Sequence, residues 1–332
     1  ALLAAIIATK QTDIKKILAY STMSQLGYMF IAVGLGFYSS GLFHVFTHAF
    51  FKAMLFMGAG GVIIALHHEQ NIFNIAKHRA ILPIISATFL IGVIAISGIP
   101  PFSGFFSKDA ILAAAFQEGH YLIYGIALFT AFLTAFYMFR LYFVVFVTPN
   151  HHKKEYVYTS KTITFPLVVL AVGAVTAGFL NLPSIFGGTH MVDTWLGSLN
   201  SKTITLSHST EYILMALSVL VASFGIFIAY KKYARFDLEK PELEVGFVGR
   251  KLYVDELYDI LFVKTSKAIS CFIDKVLDAK IIDAFIMKSS IYFVAIGRKV
   301  ALIQNANVRF YAVFMLAGMT CIFVYLYLKL GL

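Results

Sequence analysis

Hydrophobic residues run along this chain in long stretches separated by short polar segments. The stretches are 18–37, 41–66, 82–116, 121–147, 164–182, 211–230 and 308–329. A helix needs roughly 20 apolar residues to cross the hydrocarbon core of a bilayer. Each stretch meets that length, 164–182 only just. The pattern predicts an all-α, polytopic membrane protein. The stretch 82–116 is too long for one straight span and carries Gly98, Pro100, Pro101 and Gly104 inside it. Proline removes an amide donor and pushes the residue before it out of the helical region. A broken transmembrane helix is therefore expected around Gly98–Gly104. Irregular backbone at membrane depth is tolerated only inside protein or beside water, and broken helices mark ion and substrate sites in transporters.

The segment 251–300 follows a different pattern. Asp255, Glu256, Asp259, Lys264, Lys267, Asp274, Lys275, Asp278 and Lys280 alternate there with Ile269, Phe272, Ile273, Val276 and Leu277, which recur at helical spacing. This predicts a long amphipathic helix lying along a surface, able to reach about 60–70 Å at 1.5 Å per residue. The expected organisation is a helical bundle over 1–147, further spans and loops over 148–250, the amphipathic helix over 251–307 and a terminal span over 308–332. Residues 1–8, ALLAAIIA, are too short to span. They read as the tail of a helix, and the chain as the C-terminal part of a longer protein.

Composition narrows the class. The chain is 59% hydrophobic and 13% charged, against about 45–50% and 25% in soluble domains. That excludes a water-soluble fold and intrinsic disorder alike. The net charge of +10 reflects topology rather than nucleic-acid binding, because the basic residues sit in loops. Lys10, Lys15 and Lys16 precede the first span, and the next loop, 37–40, has no charge. Lys77 and Arg79 come next, then a loop at 117–120 without Lys or Arg. Arg140, Lys153, Lys154 and Lys161 follow, then only Lys202 across 183–210, then Lys231, Lys232 and Arg235. Basic and non-basic loops alternate, which places the basic side in the cytoplasm. Two cysteines, Cys271 and Cys321, with no CxxC, provide neither a cluster nor a thiolate zinc site. No phosphate-binding glycine motif occurs.

The candidate chemistry lies inside the spans. His44, His48 and Lys52 are spaced i, i+4, i+8 and share one helix face. Lys52 falls mid-span, where an ammonium costs about 2.5–3.5 kcal/mol on insertion scales. Histidine changes charge near neutral pH, so the row reads as a proton relay. The alternatives are histidines as polar glue between helices, a snorkelling lysine, or a metal pair in HVFTH, which lacks the Glu of HExxH and a third ligand. Lys108 follows the helix break, with Asp109 beside it as a pairing partner at a span end or a modulator. HHEQN at 67–71 and HHKK at 151–154 read as solvated loops. Gly58, Gly60 and Gly61 read as sites of close helix approach.

Several segments carry a family resemblance. QTDIKKILAYSTMSQLGYMF (11–30), FHVFTHAFFKAMLFMGAGGVI (43–63), HHEQNIF (67–73), GFFSKDAIL (104–112) and YVDELYDILFVK (253–264) resemble the subunit L branch of bacterial NADH-quinone oxidoreductase, whose mitochondrial counterpart is chain 5 of complex I. This antiporter-like family also includes subunits M and N, Mrp antiporter subunits and membrane hydrogenase subunits. The resemblance implies Lys52 as the central lysine of a proton channel, His48 and His44 as its relay, Lys108 as the terminal lysine and Asp109 as its modulator. It implies a location in the bacterial inner membrane, with 251–300 running along subunits M and N. NADH, FMN, iron–sulfur clusters and quinone would sit on partner subunits, with no cofactor and no metal on this chain. The competing functions are an Mrp-type cation/proton antiporter subunit, a membrane hydrogenase subunit and a purely structural clamp.

Overall fold

The computed structural model describes residues 1–78, 80–148, 155–156, 160–183, 186–188, 191–196, 201–237, 246–302 and 306–330. Arg79 and the HHKK loop lie outside them. The chain divides into two compact units, Ala1–Tyr253 and Val254–Leu332.

The first unit opens with α1 (Leu2–Ala8) and α2 (Ile14–Leu35). α2 starts four residues ahead of its apolar stretch because Asp13 caps it, accepting from the amides of Lys15 at 2.8 Å and Lys16 at 3.2 Å. Gly36, in the left-handed region at φ 87°, ends it, and α3 (Tyr38–Ala65) returns antiparallel. His67 and His68 follow α3 and are exposed, and α4 (Ile72–His78) closes the turn. The long stretch 82–116 is broken as expected. α5 (Pro83–Ser97) ends at Gly98, φ 76°, and α6 (Ser103–Gln117) begins beyond Pro100–Pro101, which are joined by a cis peptide bond. The two half-helices are 15 residues each.

α7 (Tyr121–Tyr142) runs on into a π-helical turn, Phe143–Val147. α8 (Lys161–Thr176) and its 3-10 extension Ala177–Asn181 follow, then the short α9 (Met191–Trp195), then α10 (His208–Tyr233), which packs along α7. Beyond helices, the described residues form one parallel pairing, Ala80–Ile81 with Glu155–Tyr156. The unit closes with α11 (Gly246–Gly249) and a 3-10 turn, Lys251–Tyr253. An apolar cluster forms where α2, α3 and α5 meet, with Ile14, Phe51, Leu55, Phe89 and Val93 fully buried. Gly58 and Gly61 face α5, against Phe89 and Ile85; Gly60 has nothing within 4 Å and serves no close approach.

Arg140 differs from its expected place. It belongs to the last turn of α7 rather than to a loop, and it is fully buried. Its Nη1 donates to the Gln11 carbonyl at 2.7 Å, and its guanidinium lies over Phe73 and Tyr233 at 5.8 and 5.5 Å. It ties the α1–α2 connection to α4 and α10.

The second unit is helical from Val254 to Ala301: α12 (Val254–Tyr258), a π-helical stretch Asp259–Lys264, α13 (Thr265–Phe272), a second π-helical stretch Ile273–Asp283 and α14 (Ala284–Ala301). It begins at 254 rather than 251, because Lys251, Leu252 and Tyr253 all have positive φ and cannot continue a right-handed helix. Ile269, Phe272, Ile273 and Leu277 are exposed along it. α15 (Val308–Leu330) ends the unit. Among the described residues, six helices are long and apolar enough to cross a membrane.

Candidate functional site

A polar stripe crosses the apolar interior of α2. Ser21, Ser24, Gln25 and Tyr28 recur at i, i+3, i+4 and i+7 and are all fully buried. α3 places His44, His48 and Lys52 opposite this stripe, and α6 brings in Ser103, Ser107, Lys108 and Asp109 from the far side of the break; every one of these side chains is buried.

Lys52 is 5% exposed. Its Nζ donates to the Leu18 carbonyl at 2.8 Å and to Ser21 Oγ. It is anchored to α2 at mid-span, so it does not snorkel. The i, i+4, i+8 row is also not one continuous hydrogen-bonded chain, because the ammonium turns to α2 rather than to His48. The His48 ring lies edge-on to Phe51 at 5.3 Å and 6.2 Å from the His44 ring. His44 bridges two helices: Nδ1 lies 2.9 Å from Ser107 Oγ and Nε2 lies 3.2 Å from Gln25 Oε1. Thr47 Oγ1 shares the same serine at 2.8 Å. With both nitrogens of His44 engaged, a metal at HVFTH would have to displace Gln25 or Ser107. Among the described residues no group of three His, Cys, Asp or Glu could hold a metal ion.

The helix break gives Lys108 its partner. α5 stops at Ser97, leaving the carbonyls of its last turn without amides from a following turn. Lys108 Nζ donates to one of them, Ile96 O, at 2.7 Å and lies 5.4 Å from the Tyr28 ring centre. A lysine ammonium also suits the negative end of the α5 dipole. Asp109 turns elsewhere. It accepts from Ser218 Oγ of α10 at 3.0 Å and makes no ion pair with Lys108 among the described residues, so the pairing expected for these neighbours is not formed. Gly104 has no room for a side chain: an added Cβ would lie 2.0 Å from the Ala95 carbonyl oxygen. That contact seats α6 against the end of α5.

The row also holds polar atoms without hydrogen-bond partners. Gln25 Nε2, His48 Nε2 and Ser103 Oγ are buried in this state. Orphaned polar atoms are rare in native interiors, and where they cluster they mark places that ordered water can occupy. The arrangement links proton-exchanging groups on α3 to a lysine at a helix break on α6, through hydroxyls, an amide and sites for water.

Of the residues singled out in the sequence, Lys52, His44, His48, Lys108 and Asp109 are all buried near the break; Ser21, Gln25, Ser107 and Ser218, which contact them, were not singled out. The α2 stripe was visible as polar residues at helical spacing inside an apolar run. Ser218 gives no such signal, because only packing sets it against Asp109.

Such a site defines a class: a multi-pass membrane protein with buried proton-exchanging residues gathered at a broken helix. Residues 1–134 match the family described as "NADH:quinone oxidoreductase/Mrp antiporter, TM". The chain is 37% identical to NAD(P)H-quinone oxidoreductase chain 5 of Picosynechococcus sp., over 94% of this chain and 52% of that protein. It is 39% identical to NADH-quinone oxidoreductase subunit L of Escherichia coli, over 79% of this chain and 42% of that one. A subunit in the structure of the Mrp complex from Dietzia sp. shares the fold, with a TM-score of 0.53 at 18% identity, covering 97% of this chain and 32% of that one. Over most of its length the chain is thus similar to the subunit L and chain 5 relatives, and over residues 1–134 to the wider antiporter-like family. It spans about half the length of the curated relatives it matches.

Proposed function

We propose that this chain is a proton-translocating membrane subunit of a respiratory NADH-quinone oxidoreductase in a bacterial inner membrane. Protons move between Lys52 and Lys108 by way of His48, His44 and Ser107. Electron transfer takes place on other subunits, which carry the FMN, iron–sulfur clusters and quinone. The antiporter-like subunits M and N are its neighbours, and the Val254–Ala301 helix is the element that runs along them. The observation that carries the reading is the His44 bridge. One imidazole touches both the amide of Gln25 on α2 and the hydroxyl of Ser107 on α6, next in sequence to Lys108. Moving one charge against the membrane potential costs about 2.3 kcal/mol per 100 mV, a size that changes in hydration and charge around buried lysines can supply. The identities of 33–39% to quinone oxidoreductase subunits favour this reading over the Mrp antiporter and membrane hydrogenase subunits.

The test is Lys52→Ala in the subunit within its assembled complex, measuring assembly, NADH-driven quinone reduction and proton pumping in membranes. Normal assembly with depressed pumping and turnover is the expected result. Intact pumping refutes the relay, and lost assembly with normal turnover per assembled complex supports a structural clamp instead.

A further inference from the structure

A seam of hydroxyls runs between α2 and α7. On α2 the row is Ser21, Ser24 and Tyr28; on α7 it is Tyr137, Thr134 and Thr130, numbered downward as α2 runs upward. All six side chains are fully buried. Four of them donate to backbone carbonyls: Ser21 to Leu18 at 3.1 Å, Tyr28 to Ala127, Thr130 to Ile126 at 2.7 Å and Thr134 to Thr130 at 2.8 Å. Tyr137 donates to no carbonyl among the described residues. Its Oη reaches the hydroxyls of Thr134, Ser21 and Ser24 instead, so its proton can turn from one to another.

This places Tyr137 one hydroxyl away from Lys52, whose ammonium donates to Ser21 Oγ and to the Leu18 carbonyl. A serine hydroxyl has one proton and two lone pairs. With Lys52 charged, Ser21 sends its proton to Leu18 and receives the ammonium on a lone pair. A neutral lysine amine has a lone pair of its own. Ser21 can bond that lone pair only by turning its proton to Nζ, and its oxygen then lacks a donor. A buried polar atom left without a partner is costly. The Tyr137 O–H is the group placed to be that donor. Among the described residues the charged and titratable groups nearest this exchange are His48 on α3 and, beyond it, Lys108 on α6.

We infer that Tyr137 is a positioning residue for Lys52: acting through Ser21, it completes the hydrogen bonds of the neutral amine once the proton has gone to His48. The inference deepens the proton-channel reading of Lys52 and rests on it. The ammonium gives one proton to the His48 imidazole, whose Nε2 is buried without a hydrogen-bond partner. That leaves a neutral amine and an imidazolium, and no electrons move. Ser21 then turns its O–H to Nζ, and Tyr137 turns its O–H from Ser24 or Thr134 to Ser21 Oγ. Reprotonation of Lys52 reverses both rotations. Without the Tyr137 hydroxyl only the charged form of Lys52 is fully bonded on α2, and the transfer slows.

The experiment uses the subunit in its assembled complex, with Tyr137→Phe, Ser21→Ala, the double variant and Lys52→Ala compared for assembly, NADH-driven quinone reduction and pumping. Tyr137→Phe keeps the ring and removes only the hydroxyl. The expected result is a several-fold loss of pumping in Tyr137→Phe with assembly intact. The solvent deuterium isotope effect on quinone reduction is expected to rise, because rearrangement of hydroxyl and amine protons at Lys52 then limits the rate. The double variant is expected to pump no worse than Ser21→Ala, since residues that act through one another are not additive. Normal pumping in Tyr137→Phe overturns the inference. So does a loss that multiplies with that of Ser21→Ala, an unchanged isotope effect with reduced turnover, or failure of Tyr137→Phe to assemble; each marks a role in packing instead. If Lys52→Ala depresses pumping while Tyr137→Phe does not, the positioning role fails and the relay stands. If Lys52→Ala pumps normally, the relay itself fails, and the inference with it.

Discussion

Replacing Gly104 with alanine tests how tightly the broken helix is seated. The added methyl would lie 2.0 Å from the Ala95 carbonyl oxygen and 2.8 Å from its carbon, both backbone atoms that cannot rotate away. The gap must open to at least 3.0 Å before the contact is one that real side chains make. A separation of about 1 Å also carries the Lys108–Ile96 hydrogen bond from 2.7 Å past the ~3.5 Å beyond which such a bond is lost. Overpacking costs about 1–3 kcal/mol, and losing a bond from a charged donor costs about 1.5–3 kcal/mol. Gly104→Ala is therefore expected to destabilise by about 3–5 kcal/mol. Gly60→Ala is the control. It meets nothing within 4 Å and gains up to about 1 kcal/mol of helix propensity. Native gels of the assembled complex and NADH-driven pumping in membranes compare the two. Gly104→Ala should lower complex yield and pumping, and Gly60→Ala neither. If Gly104→Ala assembles and pumps like Gly60→Ala, α6 does not approach α5 as closely as argued, and Lys108 does not depend on that approach.

Further outcomes follow from single contacts. Ser107→Ala removes the hydroxyl shared by His44 and Thr47; pumping should fall several-fold with assembly retained, and unchanged pumping would show that protons bypass it. Gln25→Leu leaves a buried His44 nitrogen unpartnered at a cost of about 1–3 kcal/mol, measurable as slower pumping at normal quinone affinity. Arg140→Leu removes the bond to Gln11 and two ring contacts, worth about 3–5 kcal/mol together; it should lower complex yield while turnover per assembled complex stays normal. Asp13→Ala removes the α2 cap and should cost about 1 kcal/mol, seen as a modest drop in thermal stability.

The sequence by itself determined the membrane class, the spans and the break. Apolar runs of spanning length have one stable solution in lipid, and Pro100–Pro101 cannot sit in a straight helix. It also singled out Lys52, His44, His48 and Lys108, because charge and imidazole inside an apolar run are costly enough to stand out. The partners of those residues were decided by tertiary structure alone. Spacing put Lys52 on one face with the histidines, yet its ammonium bonds α2, because a long lysine side chain reaches across a helix interface as readily as along its own helix. Lys108 and Asp109 are neighbours in sequence and face different partners, since successive helical positions are about 100° apart. Ser218 comes 109 residues further along the chain than Asp109, and only the packing of α10 brings it to the site.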